Sequence, residues 1–530
     1  MSGMCLRTAC PFSGRYSTGG CEVMAQAKLL MIQGTSSSVG KSVLVAALCR
    51  IFRQDGFRVA PFKAQNMALN SFVTVAGGEI GRAQAVQAEA AGVEATVDMN
   101  PVLLKPEADS RSQIVVMGKV DRTIAARDYY RYTPKLLEVV RKSLERLRGE
   151  YDIVVIEGAG SPAEINLRDS EIVNMRVARM AQAPVLLAGD IDRGGVFAAL
   201  VGTVALLEEG DRPYIKGFII NKFRGDLRLL QPGLDMLTRQ TNIPVLGVVP
   251  YFRDIAIAQE DSVYLDERPE AAGPAGLDVA VIRLPHIANY DDFDPLEGEG
   301  CRVRYVTRPG ELDGAHLVIL PGTKSTINDL RYLWKSGLAE AVREKAQAGM
   351  PVLGICGGYQ MLGKSILDAG GIESDDGGAL GLGLLDVVTR FAPEKSTTQV
   401  KAEVLAGTGL LVGLEGCGVE GYEIHMGQTE GTKSCAAFRV SATPQGAADY
   451  TDGAVNAEGT VLGTYLHGLF HNHDFRYGLL ERLRWHWGMP PAGGREDMPS
   501  GKEGHYDRLA DLVRSSLDMP AVYRILEGGA

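Results

Sequence analysis

The stretch Pro351-Val-Leu-Gly-Ile-Cys-Gly-Gly-Tyr-Gln-Met-Leu-Gly363 joins an apolar run to a helical pattern through a cysteine and two glycines. Val352 to Ile355 predicts a short buried strand, and a helix is expected from Tyr359. This order is typical of a nucleophile elbow, in which a sharp turn lifts one side chain out of the sheet. Backbone N–H groups and the N-terminus of the helix then favour a thiolate and an oxyanion. Cys356 is therefore a candidate nucleophile, with a buried structural cysteine as the alternative.

A cysteine nucleophile needs a base, and Gly463-Thr-Tyr-Leu-His-Gly-Leu-Phe470 supplies a histidine at the end of another apolar run. Val461 to Leu466 predicts a strand, and the imidazole of His467 at its end can take a proton near neutral pH. His467 is the candidate base. Three other histidines are alternatives that spacing does not exclude: His425, His471 and His473.

A second motif lies near the start of the chain, in Leu29-Leu-Met-Ile-Gln-Gly-Thr-Ser-Ser-Ser-Val-Gly-Lys-Ser42. A short strand, a loop of glycine and serine, Gly-Lys-Ser and a helix together form a phosphate cradle. Lys41 reaches the terminal phosphates, and Ser42 can ligate Mg²⁺. The strict pattern has glycine at position 35, whereas this chain has threonine there and glycine one residue earlier. The predicted ATP ligands are Gly34, Thr35, Ser36, Gly40, Lys41 and Ser42.

Acidic residues follow two further apolar runs in the first half of the chain. Glu157 ends the predicted strand that begins at Asp152, and Asp190 follows the run that begins at Pro184. A carboxylate at a strand end opposite the phosphate loop can hold Mg²⁺, so the predicted metal ligands are Ser42, Glu157 and Asp190. Asp192 is an alternative, and the nearby Arg193 is a candidate for binding a carboxylate or a phosphate.

Composition excludes several classes of function. The 530 residues have a formal net charge of -10, which argues against non-specific nucleic-acid binding. The 8 cysteines form no Cys-x-x-Cys pair, so neither a zinc site nor a dense disulfide framework is expected. No apolar run is long enough to cross a membrane, and residues 1–23 lack the apolar core of a secretory signal. We therefore expect a cytoplasmic protein.

The motifs resemble a known family. Gly-Ile-Cys-Gly-Gly-Tyr-Gln and Tyr-Leu-His-Gly-Leu-Phe resemble class I glutamine amidotransferase domains of the cobyric acid synthase and cobyrinate diamide synthase type, and the phosphate loop resembles that of dethiobiotin synthetases. The common class I pattern has Pro-Glu after the histidine, and this glutamate orients the ring. Here Gly468 and Leu469 follow instead, so the resemblance leaves the third member of the site unassigned.

The resemblance implies further site residues. Pro-Phe-Lys-Ala-Gln-Asn-Met is similar to a cobyric acid synthase segment, which makes Lys63, Gln65 and Asn66 substrate candidates in a ligand loop. In the related P-loop fold, an asparagine at the position of Asn221 contacts adenine. In amidotransferases, a glycine turn like that at Gly322 supplies an oxyanion N–H, as we also expect of Gly357. Lys324 is a candidate for substrate carboxylates.

Alternating strands and helices predict an α/β chain with two doubly wound parallel-sheet domains, the first P-loop NTPase-like and the second class I glutamine amidotransferase-like. The expected division is a disordered extension over 1–25, a synthetase domain over 26–250, a linker over 251–276, an amidotransferase domain over 277–475 and a C-terminal helical tail over 476–530. Because the first strand begins only near Lys28, Met24 is a plausible start of the protein.

The resemblance implies an ATP- and Mg²⁺-dependent enzyme that takes nitrogen from L-glutamine. The implied corrinoid substrate is adenosylcobyrinic acid a,c-diamide, amidated at its b, d, e and g side chains. The alternatives are a cobyrinate a,c-diamide synthase-like enzyme, a partitioning-type ATPase and an inactive amidotransferase scaffold. A partitioning ATPase carries a signature lysine where this chain has Ser36. The order of amidation, the oligomeric state and the role of the tail stay open.

Overall fold

A computed structural model of the chain describes residues 26–108, 111–129, 131–168, 171–252, 276–374, 377–431, 436–491 and 502–528. The expected extension over 1–25 lies outside the described residues, as does the expected linker apart from its ends. Among the helices in the described ranges, none is long and apolar enough to cross a membrane.

Strands and helices are numbered here in chain order. The strands of the first half are β1 (Lys28–Gly34), β2 (Val59–Phe62), β3 (Gln65–Met67), β4 (Ser71–Val73), β5 (Glu79–Gly81), β6 (Val102–Ala108), β7 (Arg111–Val116), β8 (Lys119–Ala125), β9 (Ile153–Glu157), β10 (Val185–Asp190), β11 (Ile215–Phe223) and β12 (Val245–Pro250). The helices of this half are α1 (Lys41–Gln54), α2 (Arg82–Ala91), α3 (Ala126–Tyr129), α4 (Thr133–Glu150), α5 (Met175–Ala181), α6 (Val196–Leu206) and α7 (Leu227–Thr241).

The strands of the second half are β13 (Asp278–Ile282), β14 (Arg302–Val306), β15 (Leu317–Leu320), β16 (Val352–Ile355), β17 (Ser365–Leu367), β18 (Gly378–Leu380), β19 (Val387–Val404), β20 (Gly418–Gly431), β21 (Phe438–Thr443), β22 (Gly446–Asp452), β23 (Ala454–Val455) and β24 (Val461–Thr464). The helices are α8 (Asp294–Gly298), α9 (Thr326–Ser336), α10 (Leu338–Gln347), α11 (Gly357–Leu362), α12 (His473–His486), α13 (Lys502–Ser516) and α14 (Met519–Leu526).

The first unit is built on a parallel sheet with the strand order β12-β11-β10-β1-β9-β2. In β1, Leu29 and Met31 enter the core on one face of the sheet, and Leu30 and Ile32 enter the core on the other. Such a strand is apolar throughout because helices cover both faces. The arrangement brings the carboxyl ends of β1, β9 and β10 to one edge, beside the phosphate loop.

The segment expected to be a ligand loop after β2 is more regular than predicted. Gln65–Met67 forms β3, which pairs with β6, and Ser71–Val73 forms β4, which pairs with β5. Both strands are only three residues long, and β3 pairs with β6, which lies about 35 residues further along the chain. Local periodicity therefore did not reveal them.

The second unit is built on a sheet with the order β14-β13-β15-β16-β24-β23. Its strands are parallel except for β23, which pairs antiparallel with β24. The fold class predicted for both units is thus confirmed. A further, mostly antiparallel sheet, β18-β17-β19-β21-β22 with β20 beside β19, was not predicted.

The last helices return to the first unit. Leu509 and Val513 of α13, with Val522 of α14, lie in the core that also buries α1. Arg50 of α1 forms ion pairs with Glu503 at 2.7 Å and with Asp507 at 2.7 Å. Residues 502–528 therefore pack as part of the P-loop unit, whereas the sequence predicted a separate C-terminal helical tail over 476–530.

The two units meet through the β4–β5 hairpin. The backbone N–H of Ser71 donates to Asn289 Oδ1 at 2.8 Å, and the hydroxyl of Tyr422 donates to the Ser71 carbonyl at 3.2 Å. Glu79 of β5 accepts from Lys395 of β19 at 2.5 Å. The hairpin of the first unit thus lies against the segments that surround the histidine of the second.

Candidate active site

Cys356 lies at the junction of β16 and α11, as the elbow pattern predicts. Its backbone has φ 53° and ψ −109°, values that a residue with a Cβ rarely adopts. Two residues on, a Cβ at Gly358 would lie 1.9 Å from the Leu320 carbonyl oxygen, so the close approach of helix and sheet requires glycine. This geometry holds Cys356, which is 9% exposed, at the carboxyl edge of the sheet.

His467 follows β24, the neighbour of β16, and is 1% exposed. Its Nδ1 lies 2.6 Å from Asp292 Oδ2, and the ring stacks on Tyr422 with 5.2 Å between centroids. Burial alone would lower the pKa of His467, but the Asp292 carboxylate and a hydrogen bond with Cys356 raise it to about 10. A raised pKa favours the protonated form of the His467 ring, which can then act as a proton donor next to the Cys356 sulfur.

Asp292 is the member of the site that the sequence left unassigned. It lies in the buried 3₁₀ turn Tyr290–Phe293, and its Oδ1 accepts from the Gly468 N–H at 2.8 Å. Each carboxylate oxygen thus has a partner that fixes the position of His467. The available signal was Asn289-Tyr-Asp-Asp-Phe-Asp294, a run in which acids lie among aromatic residues. It does not tell which acid faces the histidine.

The three alternative histidines have different surroundings. Burial lowers the pKa of His425 to about 4, and its ring stacks on Tyr465. Burial, together with Lys502, holds the pKa of His471 well below its usual value. His473 is on the surface beside Asp474. The position of His467, between a buried carboxylate and Cys356, makes it the better candidate for the base.

The two oxyanion candidates are Gly357, the residue after Cys356, and Gly322, in the turn that follows β15. A Cβ at Gly322 would lie 3.0 Å from His467 Cε1, which places this turn against the imidazole. A Cβ at Gly357 would lie 2.6 Å from Thr323 Cγ2, in the same turn as Gly322. The backbone of both glycines therefore borders the space next to Cys356, and their role as oxyanion donors stays a prediction.

The side chain of Lys41 folds back onto the phosphate loop. Its Nζ donates to the Ser36 carbonyl at 2.9 Å and to the Gly160 carbonyl at 3.2 Å. Thr35 continues from Gly34 at the end of β1, and its N–H donates to the Ala188 carbonyl of β10 at 2.9 Å. The loop thus presents a buried ammonium group at the carboxyl edge of the sheet, where a phosphate would be bound.

Asn221 supports the end of this loop. Its Nδ2 donates to the Val39 carbonyl at 2.7 Å. Gly40 has φ 93°, and a Cβ there would lie 2.3 Å from Asn221 Nδ2, so glycine is required on both grounds. This contact shows Asn221 holding the loop; the adenine contact implied by the resemblance stays a prediction.

Glu157 is the centre of a buried polar cluster beside the loop. Its Oε1 accepts from Ser42 Oγ at 2.8 Å and from Lys63 Nζ at 2.9 Å, and its Oε2 accepts from Gln87 Nε2 at 2.5 Å. Burial alone would raise the pKa of Glu157, but the Lys63 ammonium and these hydrogen bonds lower it. The contact of the Ser42 hydroxyl with an ionised carboxylate supplies the oxygen donors that suit Mg²⁺.

Asp190 lies at the end of β10 and is held by its neighbours. Its Oδ2 accepts from Lys222 Nζ at 2.8 Å, and its Oδ1 accepts from the Asp192 N–H at 2.9 Å. In the part of the chain that the structure describes, no group of three or more His, Cys, Asp or Glu side chains is arranged as a metal site. The structure brings Ser42 and Glu157 together, and Asp190 has no described contact with them.

The substrate candidates are dispersed. Lys63 pairs with Glu157, and Asn66 Nδ2 donates to Gln84 Oε1 at 3.0 Å. Gln65 Oε1 accepts from the hydroxyl of Tyr129. Arg193 is exposed after β10. Lys324 of the second unit pairs with Glu107 of the first at 3.0 Å, which places it at the boundary between the units.

A nucleotide-type phosphate loop and a buried cysteine–histidine–aspartate centre in one chain define a class, the glutamine amidotransferases that carry their own nucleotide-binding domain. Two family models match accordingly: a CobQ/CobB/MinD/ParA nucleotide binding domain over residues 30–263 and a CobB/CobQ-like glutamine amidotransferase domain over residues 278–475. The chain belongs to the cobyric acid synthase family.

Relatives named cobyric acid synthase support the family assignment. The cobyric acid synthase of Dehalococcoides mccartyi strain CBDB1 is 61% identical over 503 residues, which cover 95% of this chain and 99% of that protein. The cobyric acid synthase of Sorangium cellulosum is 58% identical over 512 residues, which cover 94% of this chain and 98% of that protein. The one from Desulfitobacterium hafniense strain DCB-2 is 50% identical over 505 residues, with 93% and 96% covered.

Proposed function

We propose that this chain is a cobyric acid synthase that amidates carboxylates of a corrinoid in cobalamin biosynthesis, with L-glutamine as nitrogen donor and ATP as energy source. The observation that carries the proposal is the presence of Cys356, His467 and Asp292 in one buried centre, in a chain that also has the Lys41 loop. The finer assignment is adenosylcobyrinic acid a,c-diamide, amidated at its b, d, e and g side chains.

The glutaminase half reaction belongs to the second unit. The Cys356 thiolate attacks the side-chain amide carbon of glutamine, and N–H groups at Gly322 and Gly357 stabilise the oxyanion. The His467 imidazolium gives its proton to the departing nitrogen, so that ammonia leaves and a thioester forms. Water then hydrolyses the thioester to glutamate, with His467 as the base. Asp292 keeps the imidazole oriented and compensates its charge throughout.

The synthetase half reaction belongs to the first unit. A corrinoid carboxylate oxygen attacks the terminal phosphorus of ATP, ADP leaves and an acyl phosphate forms. This activation is needed because a carboxylate alone is a poor acyl donor. Lys41 and the loop N–H groups stabilise the charge of the transferred group. Ammonia then displaces phosphate to give the amide. Ser42 and Glu157 would hold Mg²⁺, which supplies further charge compensation at the phosphates.

The substrate is bound by groups near both units. We propose Lys63, Gln65, Asn66, Arg193 and Lys324 as groups that meet the corrinoid carboxylates or the phosphates. Lys63 is paired with Glu157, and Lys324 is paired with Glu107. A bound carboxylate would replace a protein carboxylate as partner of such an ammonium group, which keeps the buried charge compensated.

We also propose the domain division: a synthetase domain over 26–250, a linker over 251–276 and an amidotransferase domain over 277–475. The helices after residue 500 pack on the synthetase domain, so we assign residues 502–528 to it structurally. The cytoplasm is the proposed location. A cobyrinate a,c-diamide synthase-like activity is the remaining alternative.

The test is conversion of the corrinoid acid with glutamine labelled at its amide nitrogen. The protein is incubated with ATP, Mg²⁺ and adenosylcobyrinic acid a,c-diamide, and the products are separated and analysed by mass spectrometry. We expect label in the product at the side chains proposed, and none when ATP is omitted. Amidation of cobyrinic acid at a and c, with none of the a,c-diamide, would contradict the proposal and support the alternative.

A further inference from the structure

A buried ion pair joins the two units next to the glutaminase centre. Arg82 is the first residue of α2 in the P-loop unit, and its Nε lies 2.7 Å from Asp291 Oδ2 in the second unit. Their side chains are 6% and 2% exposed. Asp291 Oδ1 has no hydrogen-bond partner within the described ranges. Arg82 is therefore the main compensation for the charge of Asp291.

Asp291 precedes Asp292 in the same buried turn, so two carboxylates lie side by side. Burial and the negative charge of Asp292 raise the pKa of Asp291, and the Arg82 guanidinium opposes them. Two close carboxylates in a buried site cannot both stay ionised without compensating positive charge. Arg82 supplies one such charge and His467 supplies the other.

The helix that carries Arg82 also reaches the phosphate loop. Gln87 of α2 donates to Glu157 Oε2, and its side chain also donates to the Ser42 carbonyl at 3.3 Å. Arg82 and Gln87 are separated by about 7.5 Å along the axis of a regular helix. One short, rigid element thus contacts the carboxylate pair beside His467 and the acid beside the phosphate loop.

We propose that Arg82 is a positioning residue for glutamine hydrolysis. By compensating the charge of Asp291, it leaves Asp292 as the hydrogen-bond acceptor committed to His467 Nδ1. The glutaminase centre is then completed by a residue of the synthetase domain, and an amidotransferase domain separated from its partner would lack part of its own charge network. This inference rests on the proposed glutaminase function.

Other charged or titratable groups face this cluster from the neighbouring elements. Lys502 of α13 lies 3.7 Å from Glu89 of α2, and Tyr506 donates to the same carboxylate at 2.9 Å. The cluster is also faced by Tyr422, His471 and Cys356. Lys502 has its own carboxylate partner, so Arg82 is the cation in direct contact with Asp291.

The test compares three variants of the full-length protein: Arg82→Gln, Arg82→Lys and the double variant Arg82→Gln/Asp291→Asn. Arg50→Gln is the matched control because it also removes a buried arginine from ion pairs in the P-loop unit, away from His467. Glutamate release gives kcat and KM for glutamine as a function of pH. Amidation driven by ammonium reports on the synthetase domain.

For Arg82→Gln we expect kcat for glutamine hydrolysis to fall roughly tenfold to a hundredfold. A loss of this size is typical when a residue that orients a ligand or base, without itself touching the substrate, is replaced. KM should change little. Without Arg82 the Asp291 carboxylate is uncompensated, and a proton taken up by Asp291 removes the excess charge, so the loss of activity should be largest at high pH and should shrink as pH falls. Arg82→Lys should retain more activity, and the double variant should regain both rate and profile because the excess charge is gone. Ammonium-driven amidation and Arg50→Gln should match the unmodified protein.

Several results would overturn the inference. Unchanged glutamine hydrolysis in folded Arg82→Gln would exclude a positioning role. Equal losses of glutamine- and ammonium-driven amidation would assign Arg82 to the synthetase domain. If Arg82→Gln does not fold, the double variant decides, since a folded double variant without glutaminase activity contradicts a role through Asp291. Absence of glutaminase activity in the unmodified protein would instead refute the proposed function.

Discussion

Replacing Asp292 with asparagine keeps the shape of the side chain and removes the charge that holds His467. Burial alone would lower the pKa of His467, and Asp292 together with Cys356 raises it from 6.5 to about 10. Since one pKa unit corresponds to about 1.4 kcal/mol, this net rise amounts to roughly 5 kcal/mol, which is what remains after the two partners have offset the cost of burial. Without the carboxylate, burial lowers the pKa of the imidazole and favours the neutral ring, and an asparagine N–H beside Nδ1 favours the wrong tautomer. We expect kcat for glutamine hydrolysis to fall roughly a hundred- to ten-thousandfold.

The assay is glutamate release at saturating glutamine, with ammonium-driven amidation measured on the same preparation. Asp294→Asn is the matched control because Asp294 follows the same turn, at the start of α8, whereas the carboxylate that contacts His467 Nδ1 is that of Asp292. Ammonium-driven amidation should be unaffected in both variants. If Asp292→Asn hydrolyses glutamine as fast as Asp294→Asn does, then Asp292 is not part of the catalytic centre.

Three further variants test other parts of the molecule. Lys41→Ala should abolish amidation with either nitrogen source, because its charge stabilises the transferred phosphoryl group; near-normal amidation would show that the loop is structural. Glu157→Gln should weaken Mg²⁺-dependent turnover more than folding, as seen in a Mg²⁺ titration beside a melting curve. An unchanged titration would move the role of metal ligand to Asp190 or Asp192. Burial and the nearby Asp452 raise the pKa of Glu423 from 4.5 to about 8, so the folded state binds an extra proton between these pH values and loses stability as pH rises through them. Glu423→Gln should therefore raise Tm at pH 8 and leave it unchanged at pH 5; a Tm difference that does not depend on pH would contradict this assignment.

Local patterns carried the prediction of both motifs. The elbow at Cys356 and the loop at Lys41 each lie within about a dozen consecutive residues, because strand, turn and helix follow one another there. The alternation of apolar strands with helices likewise predicted both parallel sheets. For a site built from consecutive residues, the sequence was therefore sufficient to predict the motif.

Contacts between distant segments were not predictable in this way. Asp292 meets His467 across 175 residues, and either neighbouring acid satisfies the same sequence pattern. Arg82 and Asp291 belong to different domains, so no periodicity links them. The helices of residues 502–528 read as polar because one face only is apolar, and the surface that this face covers lies on α1 near the start of the chain.

The central claim is that the two domains divide the reaction, with Cys356 acting only to free ammonia. The measurement is amidation of the corrinoid by Cys356→Ala, first with glutamine and then with a high ammonium concentration at alkaline pH. We predict complete loss with glutamine and full retention with ammonium; adding His467→Ala should change little more, because nucleophile and base act as one unit. Retained glutamine-dependent amidation would show that Cys356 is a packing residue. Failure of ammonium to restore amidation in a folded variant that binds ATP would contradict the division of labour.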